Sequence, residues 1–145
     1  MSTSATIEEG TVVMQGAIIQ PEAHIGRHCI INTGASVDHE CKIGDYVHIS
    51  PHATLCGNVH VGEGSWLGAG ATVIPGIKIG RWCTIGAGSV VVRDIPDGVI
   101  AYGNLCKIKN QDMYHIDNQR QIGEGAKSLA LNKLCRSQYN LRYAA

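Results

Sequence analysis

The stretch that decides the fold runs from residue 7 to residue 91, and one turn of it, residues 43–61, reads IGDYVHISPHATLCGNVHV. Four residues after nearly every aliphatic residue in this repeat stands a small or β-branched one. Glycine also returns every 18 residues, at Gly26, Gly44, Gly62 and Gly80. The repeat has a period of six, and its aliphatic positions are Ile7, Val13, Ile19, Ile25, Ile31, Val37, Ile43, Ile49, Leu55, Val61, Leu67, Val73, Ile79, Ile85 and Val91.

A period of six fits neither an amphipathic helix nor an ordinary strand, which repeat every three to four or every two residues. Together with glycine every 18 residues it predicts an all-β fold, a parallel β-solenoid of about five coils with three short faces in each coil. Coils stack roughly 4.8 Å apart, so residues 18 apart lie above one another. The narrow interior takes one branched aliphatic and one small residue per face, which explains why the chain has no Phe.

Length and composition indicate a single domain, and its balanced charge gives no sign of a nucleic-acid or membrane partner. The 145 residues carry 12 Lys and Arg against 12 Asp and Glu, so there is no basic field of the kind that binds nucleic acid or an anionic membrane. No apolar run has membrane-spanning length, and the polar start is not a signal peptide. We therefore expect a soluble, cytoplasmic protein.

The repeat also predicts the domain limits. Residues 1–6 form a flexible lead, and residues 7–103 form the repeat domain. Pro96 and the charged pair Arg93 and Asp94 end the coils, and residues 99–102 are apolar enough for one more strand. Residues 104–145 form an irregular or helical tail, with a helix near 124–138.

The six cysteines predict buried thiols. Cys29, Cys41 and Cys83 fall on the small inward positions of the repeat. No two cysteines form a CxxC pair or have zinc-ligand spacing. We expect free cysteines that act as small hydrophobes, with neither a disulfide nor a metal.

His39 differs from the other histidines of the coils because it stands between two carboxylates, Asp38 and Glu40. A carboxylate bonded to one ring nitrogen fixes the tautomer and raises the basicity of the other nitrogen, as a general base requires. Either acid could be the partner of the ring. The alternative is a solvated acidic corner in which His39 is simply exposed.

Several segments resemble the hexapeptide-repeat acyltransferases, and within them the nucleotide-linked amino-sugar N-acetyltransferases and sialic acid O-acetyltransferases. The likeness covers about residues 16–109 and is most specific around His39. Its segments are 32–41, 48–51, 56–59, 67–71 and 85–91. The resemblance implies a left-handed β-helix, although the usual crossover rule is right-handed.

The resemblance also implies roles for six residues. His39 would be the general base, and Glu40 would make it more basic. His48 would contact the acetyl carbonyl of acetyl-CoA, and main-chain groups of Gly57, Ala69 and Ala87 would line the pantetheine arm. The expected reaction is direct transfer of acetyl from acetyl-CoA to an amino or hydroxyl group, without metal and without an acyl-enzyme.

The family forms homotrimers with acetyl-CoA between neighbouring subunits. His39 and His48 are half a coil apart, so they would converge most easily across such a boundary. Gly57 is 18 residues after His39 and Ala87 is 18 after Ala69, so a ligand along the axis would meet these positions in sequence. Trp66 stands 18 residues after His48. As a hypothesis, Trp66 or Trp82 packs at the trimer contact, and the alternative is an aromatic wall for the acceptor.

Two departures from the family concern the acceptor. Relatives often have an N-terminal nucleotide-binding domain, whereas the repeats here start at Ile7, and residues 102–107 read YGNLCK where relatives usually have Gly-Asn-Pro-Ala-Lys. We expect a small-molecule, sugar-linked acceptor. A non-catalytic or acceptor-deficient binding protein is the main alternative. A γ-type carbonic anhydrase is a weaker one, because His24 and His60 have the 36-residue ligand spacing but position 65 is Ser.

Overall fold

The computed structural model describes residues 4–111, and the regular elements in that range are all β-strands. The first fifteen strands have two residues each and follow the six-residue period, which confirms the predicted solenoid. The strands are β1 (Thr6–Ile7), β2 (Val12–Val13), β3 (Ile18–Ile19), β4 (His24–Ile25), β5 (Ile30–Ile31), β6 (Ser36–Val37), β7 (Lys42–Ile43), β8 (His48–Ile49), β9 (Thr54–Leu55), β10 (His60–Val61), β11 (Trp66–Leu67), β12 (Thr72–Val73), β13 (Lys78–Ile79), β14 (Thr84–Ile85), β15 (Val90–Val91), β16 (Val99–Tyr102) and β17 (Lys107–Gln111).

The strands form three sheets, one on each face of a prism. Face 1 has the order β1-β4-β7-β10-β13, face 2 has β2-β5-β8-β11-β14-β16-β17, and face 3 has β3-β6-β9-β12-β15. All pairs are parallel except β16 with β17. Each strand pairs with the strand one coil away, so His48 pairs with Trp66 in register. The predicted parallel β-helix of about five coils is therefore confirmed.

The core is a column of the aliphatic and small residues of the repeat. Its largest fully buried side chains are Ile, Leu and Val, such as Ile31, Leu55 and Leu67. Cys29, Cys41 and Cys83 are buried among them as free thiols, as predicted. Burial is the largest cause that raises the pKa of these three thiols, so they stay protonated and weakly nucleophilic.

Two-residue turns join the faces at three corners. Corner 1 holds residues 9–10, 27–28, 45–46, 63–64 and 81–82, corner 2 holds 15–16, 33–34, 51–52, 69–70 and 87–88, and corner 3 holds 21–22, 39–40, 57–58 and 75–76. The second residue of each of these turns has a positive φ, and half of these residues are not glycine. The glycine column at 26, 44, 62 and 80 has a different cause: a Cβ there would strike the backbone of the next coil.

The stack ends gradually. Ile95 still bridges to Ile79 on face 1, and β16, the strand predicted at residues 99–102, adds to face 2. Strand β17 then turns back antiparallel to β16, whose open edge supplies its backbone partners. Residues 107–111 therefore form a strand, where the sequence predicts an irregular or helical tail. The helix predicted near 124–138 lies outside the described residues. Among residues 4–111 no helix has the length and apolar character needed to cross a bilayer.

Candidate active site

His39 lies at corner 3 in the turn between β6 and β7. Its backbone is held on both sides: its N–H donates to Asp38 Oδ1 at 2.7 Å, and its carbonyl accepts the Asn58 N–H at 2.9 Å from the next coil. The backbone is thus fixed by the solenoid. Only the two side-chain torsions of His39 are left to place its ring.

The structure separates the two carboxylates that the sequence offered as partners. Asp38 caps the backbone of His39, whereas Glu40 Oε2 lies 3.4 Å from His39 Nδ1. Glu40 reaches the ring because it takes a positive φ of 59° in the turn. The two side chains are 58% and 57% exposed, so the pair faces solvent, where a substrate can approach it. Glu40, and not Asp38, is thus the carboxylate that faces the ring, and Nε2 is the ring nitrogen that points away from it.

Gly57 lies one coil above His39 on the same corner. A Cβ built on Gly57 would be 2.5 Å from His39 Nε2 and 2.6 Å from Cε1. The imidazole therefore occupies the space beside the Gly57 Cα. Besides the main-chain contact with pantetheine that the family resemblance implies for Gly57, the structure shows a contact of this glycine with the His39 ring.

His48 points outward from β8 on face 2 and is partly buried. Its ring stacks on Trp66 with centroids 5.9 Å apart and planes at 12°, so the predicted stacking of these two residues is confirmed. The Trp66 Nε1–H donates to Ser50 Oγ at 2.7 Å, which fixes the indole. Burial lowers the pKa of His48, so the ring is neutral at pH 7.

Asn32 sets the tautomer of His48, and the sequence analysis gave it no role. Its Oδ1 accepts the Thr33 N–H at 2.8 Å, so its amide nitrogen faces His48 Nε2 at 3.2 Å. An amide N–H is a donor only, so Nε2 accepts and Nδ1 carries the proton. The signal for Asn32 in the sequence is its offset of 16 residues from His48, which places it on the same face one coil below.

Ala69 and Ala87 lie at corner 2, one coil apart. The structure thus divides the six predicted residues into two groups. His39, Glu40 and Gly57 are at corner 3, and His48, Ala69 and Ala87 are on face 2 and corner 2. Face 3 separates the two corners by six residues, a chain path of up to about 20 Å. Within one chain the two columns lie on different edges, so a ligand along a single edge meets only one of them.

The remaining histidines of the coils lie elsewhere. His24 and His60 point from face 1 into a shallow groove of about 630 Å³ that Lys42 and Lys78 also line. Desolvation and these two lysines lower the pKa of His60. Within residues 4–111 no three His, Cys, Asp or Glu side chains gather in a metal-binding group.

Comparisons with known proteins agree with the six-residue repeat. Residues 58–93 match the family described as bacterial transferase hexapeptide (six repeats). No curated protein sequence matches the chain. The chain is 44% identical to the acetyltransferase domain of PglB from Neisseria gonorrhoeae in complex with acetyl coenzyme A, with a TM-score of 0.74 over 74% of this chain and 53% of that one.

The resemblance to the hexapeptide-repeat acyltransferases is confirmed. A variant of perosamine N-acetyltransferase from Caulobacter crescentus, solved with CoA and GDP-perosamine, is 44% identical, with a TM-score of 0.65 over 74% of this chain and 54% of that one. A maltose O-acetyltransferase from Clostridium difficile is 27% identical, with a TM-score of 0.63 over 71% and 70%. The chain spans about half the length of the PglB and perosamine N-acetyltransferase structures.

Proposed function

We propose that the chain is an acetyltransferase that moves an acetyl group from acetyl-CoA to an amino or hydroxyl group of a sugar or sugar nucleotide. The observation that carries the proposal is the exposed His39–Glu40 pair, with Nδ1 facing Glu40 Oε2 at 3.4 Å, on a fold shared with an acetyltransferase domain in complex with acetyl coenzyme A. The similarity to a perosamine N-acetyltransferase solved with CoA and GDP-perosamine supports a sugar-linked acceptor.

The proposed step is direct attack on the thioester. His39 Nε2 takes the proton of the acceptor N–H or O–H as the acceptor nitrogen or oxygen bonds to the acetyl carbon. The carbon–sulfur bond then breaks, and CoA leaves as the thiol with the proton that His39 took up, which restores the neutral imidazole. Glu40 stabilises the imidazolium that forms on His39, and such general-base assistance typically contributes about 10²–10⁴-fold in rate.

His48 is suited to the other half of the reaction. Because Asn32 occupies Nε2, the Nδ1–H of the neutral ring is a donor. We propose that this donor, or a backbone N–H, stabilises the negative charge that develops on the acetyl oxygen. Removal of one such donor commonly costs about 3–4 kcal/mol of transition-state stabilisation.

We propose that the protein forms a homotrimer and that the two groups of residues meet between neighbouring copies. Among strands β1–β15, the outward residues of faces 2 and 3 include no Lys, Arg, Asp or Glu, whereas face 1 presents Lys42 and Lys78. Lys107 and Lys109 enter face 2 only with β17, at the end of the stack. Face 2 exposes Val12 by 50% and face 3 exposes Ile18 by 51%. Uncharged faces of this kind favour contact with a second copy, which would bring corner 3 of one copy towards face 2 and corner 2 of the next.

The test is CoA release measured with a panel of amino sugars, free and nucleotide-linked. We expect turnover with one acceptor class and a loss of about 10²–10⁴-fold in kcat for His39→Ala, with acetyl-CoA binding retained. His28→Ala is the matched control, because His28 also lies in a turn but at corner 1, where it stacks on Tyr46. Full turnover of His39→Ala, or equal losses in both variants, would remove His39 from the mechanism.

A further inference from the structure

Four aromatic rings in the solenoid lie over glycines one coil away. His28 lies over Gly10, His52 over Gly34, Trp82 over Gly64 and His39 over Gly57, and in each pair a Cβ on the glycine would collide with the ring. Three of these glycines have φ between 64° and 71°, so their backbone favours glycine even without the ring. Gly57 is the exception, because its φ is not in the left-handed region.

Gly57 is therefore a glycine that its own backbone does not require. It is the first residue of its turn, and Asn58, the second residue, takes the positive φ of 56°. Corresponding first positions hold Ala69 and Ala87 at corner 2, so a methyl group fits this part of a turn. What a methyl group at 57 does not fit is the imidazole of His39, at 2.5 Å from Nε2, 2.6 Å from Cε1 and 3.3 Å from Cδ2.

We propose that Gly57 is a positioning residue for the general base: its missing side chain leaves the space in which the His39 ring lies with Nδ1 towards Glu40 and Nε2 along corner 3. This inference rests on the proposed function. It assigns to Gly57 a role besides the main-chain contact with pantetheine. With the backbone of His39 fixed by Asp38 and Asn58, a Cβ at 57 can be relieved chiefly by rotation of the ring, which moves Nε2 and breaks the contact with Glu40.

The variant Gly57→Ala tests the proposal, with Gly76→Ala as the matched control on the same corner. Gly76 has φ of 76° and no atom within 4 Å of a Cβ built on it. A methyl group there strains the backbone but meets no ring. We expect Gly57→Ala to lower kcat roughly tenfold or more with little change in Tm, and Gly76→Ala to lower Tm by a few degrees with little change in kcat.

A double-mutant comparison separates the space for the ring from a contact with the cofactor. If Gly57 acts through His39, Gly57→Ala has no further effect on kcat in the His39→Ala background, and the acetyl-CoA Kd stays within about twofold. An equal fold loss in both backgrounds, or a large rise in Kd, would show that Gly57 acts on acetyl-CoA and would overturn the proposal.

A final measurement, by NMR, tests the packing of the ring without an activity assay. In the wild-type protein with labelled histidine, NMR should show a contact between the His39 ring protons and the Gly57 Hα protons, and this contact should be lost in Gly57→Ala. Absence of the contact in the wild type would overturn the positioning role whatever the activity. If the contact is present but no acceptor supports turnover, the packing stands and the proposed reaction fails.

Discussion

At the residue scale, the chemistry depends on how each ring nitrogen is occupied. Glu40 faces Nδ1 of His39, and Asn32 faces Nε2 of His48. The first contact leaves His39 an acceptor nitrogen for a proton, and the second leaves His48 a donor for an oxyanion. In the proposed reaction, the two histidines therefore have complementary roles: His39 accepts a proton, and His48 donates a hydrogen bond to the developing oxyanion.

The depressed pKa of His48 predicts a stability that falls in acid. Burial disfavours the imidazolium in the folded state, so between the folded pKa and the unfolded value of about 6.5 the unfolded chain binds more protons. The stability that depends on a neutral His48 is fully present above about pH 6.5, and it is lost as the pH falls through the pKa of His48 in the folded state. Thermal unfolding followed from pH 7.5 down to pH 5 should show a decline in Tm that is shallower in His48→Gln. Identical slopes in the two proteins would contradict the burial of this ring.

At the element scale, each of the strands β3–β15 contributes one buried side chain to a narrow interior. The sequence made this predictable because a period of six leaves few alternatives. The buried aliphatic and small positions, including the three inward cysteines, lie where the repeat places them. The positive φ at the second residue of each turn was not predictable, because residue types such as Glu40 and Trp82 rarely adopt that backbone conformation. Backbone hydrogen bonds from the neighbouring coil impose it.

The packing of the interior predicts the cost of a cavity. Leu67 is fully buried in β11, so Leu67→Ala should lower the free energy of unfolding by about 2–5 kcal/mol. Leu105→Ala removes the same atoms from a side chain that is 57% exposed. This control should change the free energy of unfolding by less than about 0.5 kcal/mol. Chemical denaturation measures both, and similar losses would argue against a dry core around Leu67.

At the scale of the whole molecule, the sequence predicted the fold, and the nine-residue spacing of His39 and His48 predicted that they lie on different faces of the prism. Spacing places Gly57 over His39 and Trp66 beside His48, and both contacts are present. Spacing does not reveal which carboxylate faces a ring or where an amide points, because these depend on side-chain torsions. Nor does it reveal how two corners could meet between copies of the prism, as proposed above, because that geometry would belong to the assembly.

The central claim is that one active site takes His39 from one copy and His48 from its neighbour. The most direct test mixes two variants, His39→Ala and His48→Ala, by co-expression and purification of the mixed assemblies. In a randomly mixed trimer population about a quarter of the sites would join an intact His39 to an intact His48.

We predict that acetyltransferase activity in the mixture rises to about a quarter of the wild-type value, well above the activity of either variant alone. Oligomeric state, measured by sedimentation on the same samples, should be that of a trimer. Activity in the mixture that stays at the average of the two single variants, or a fully active monomer, would contradict the shared site.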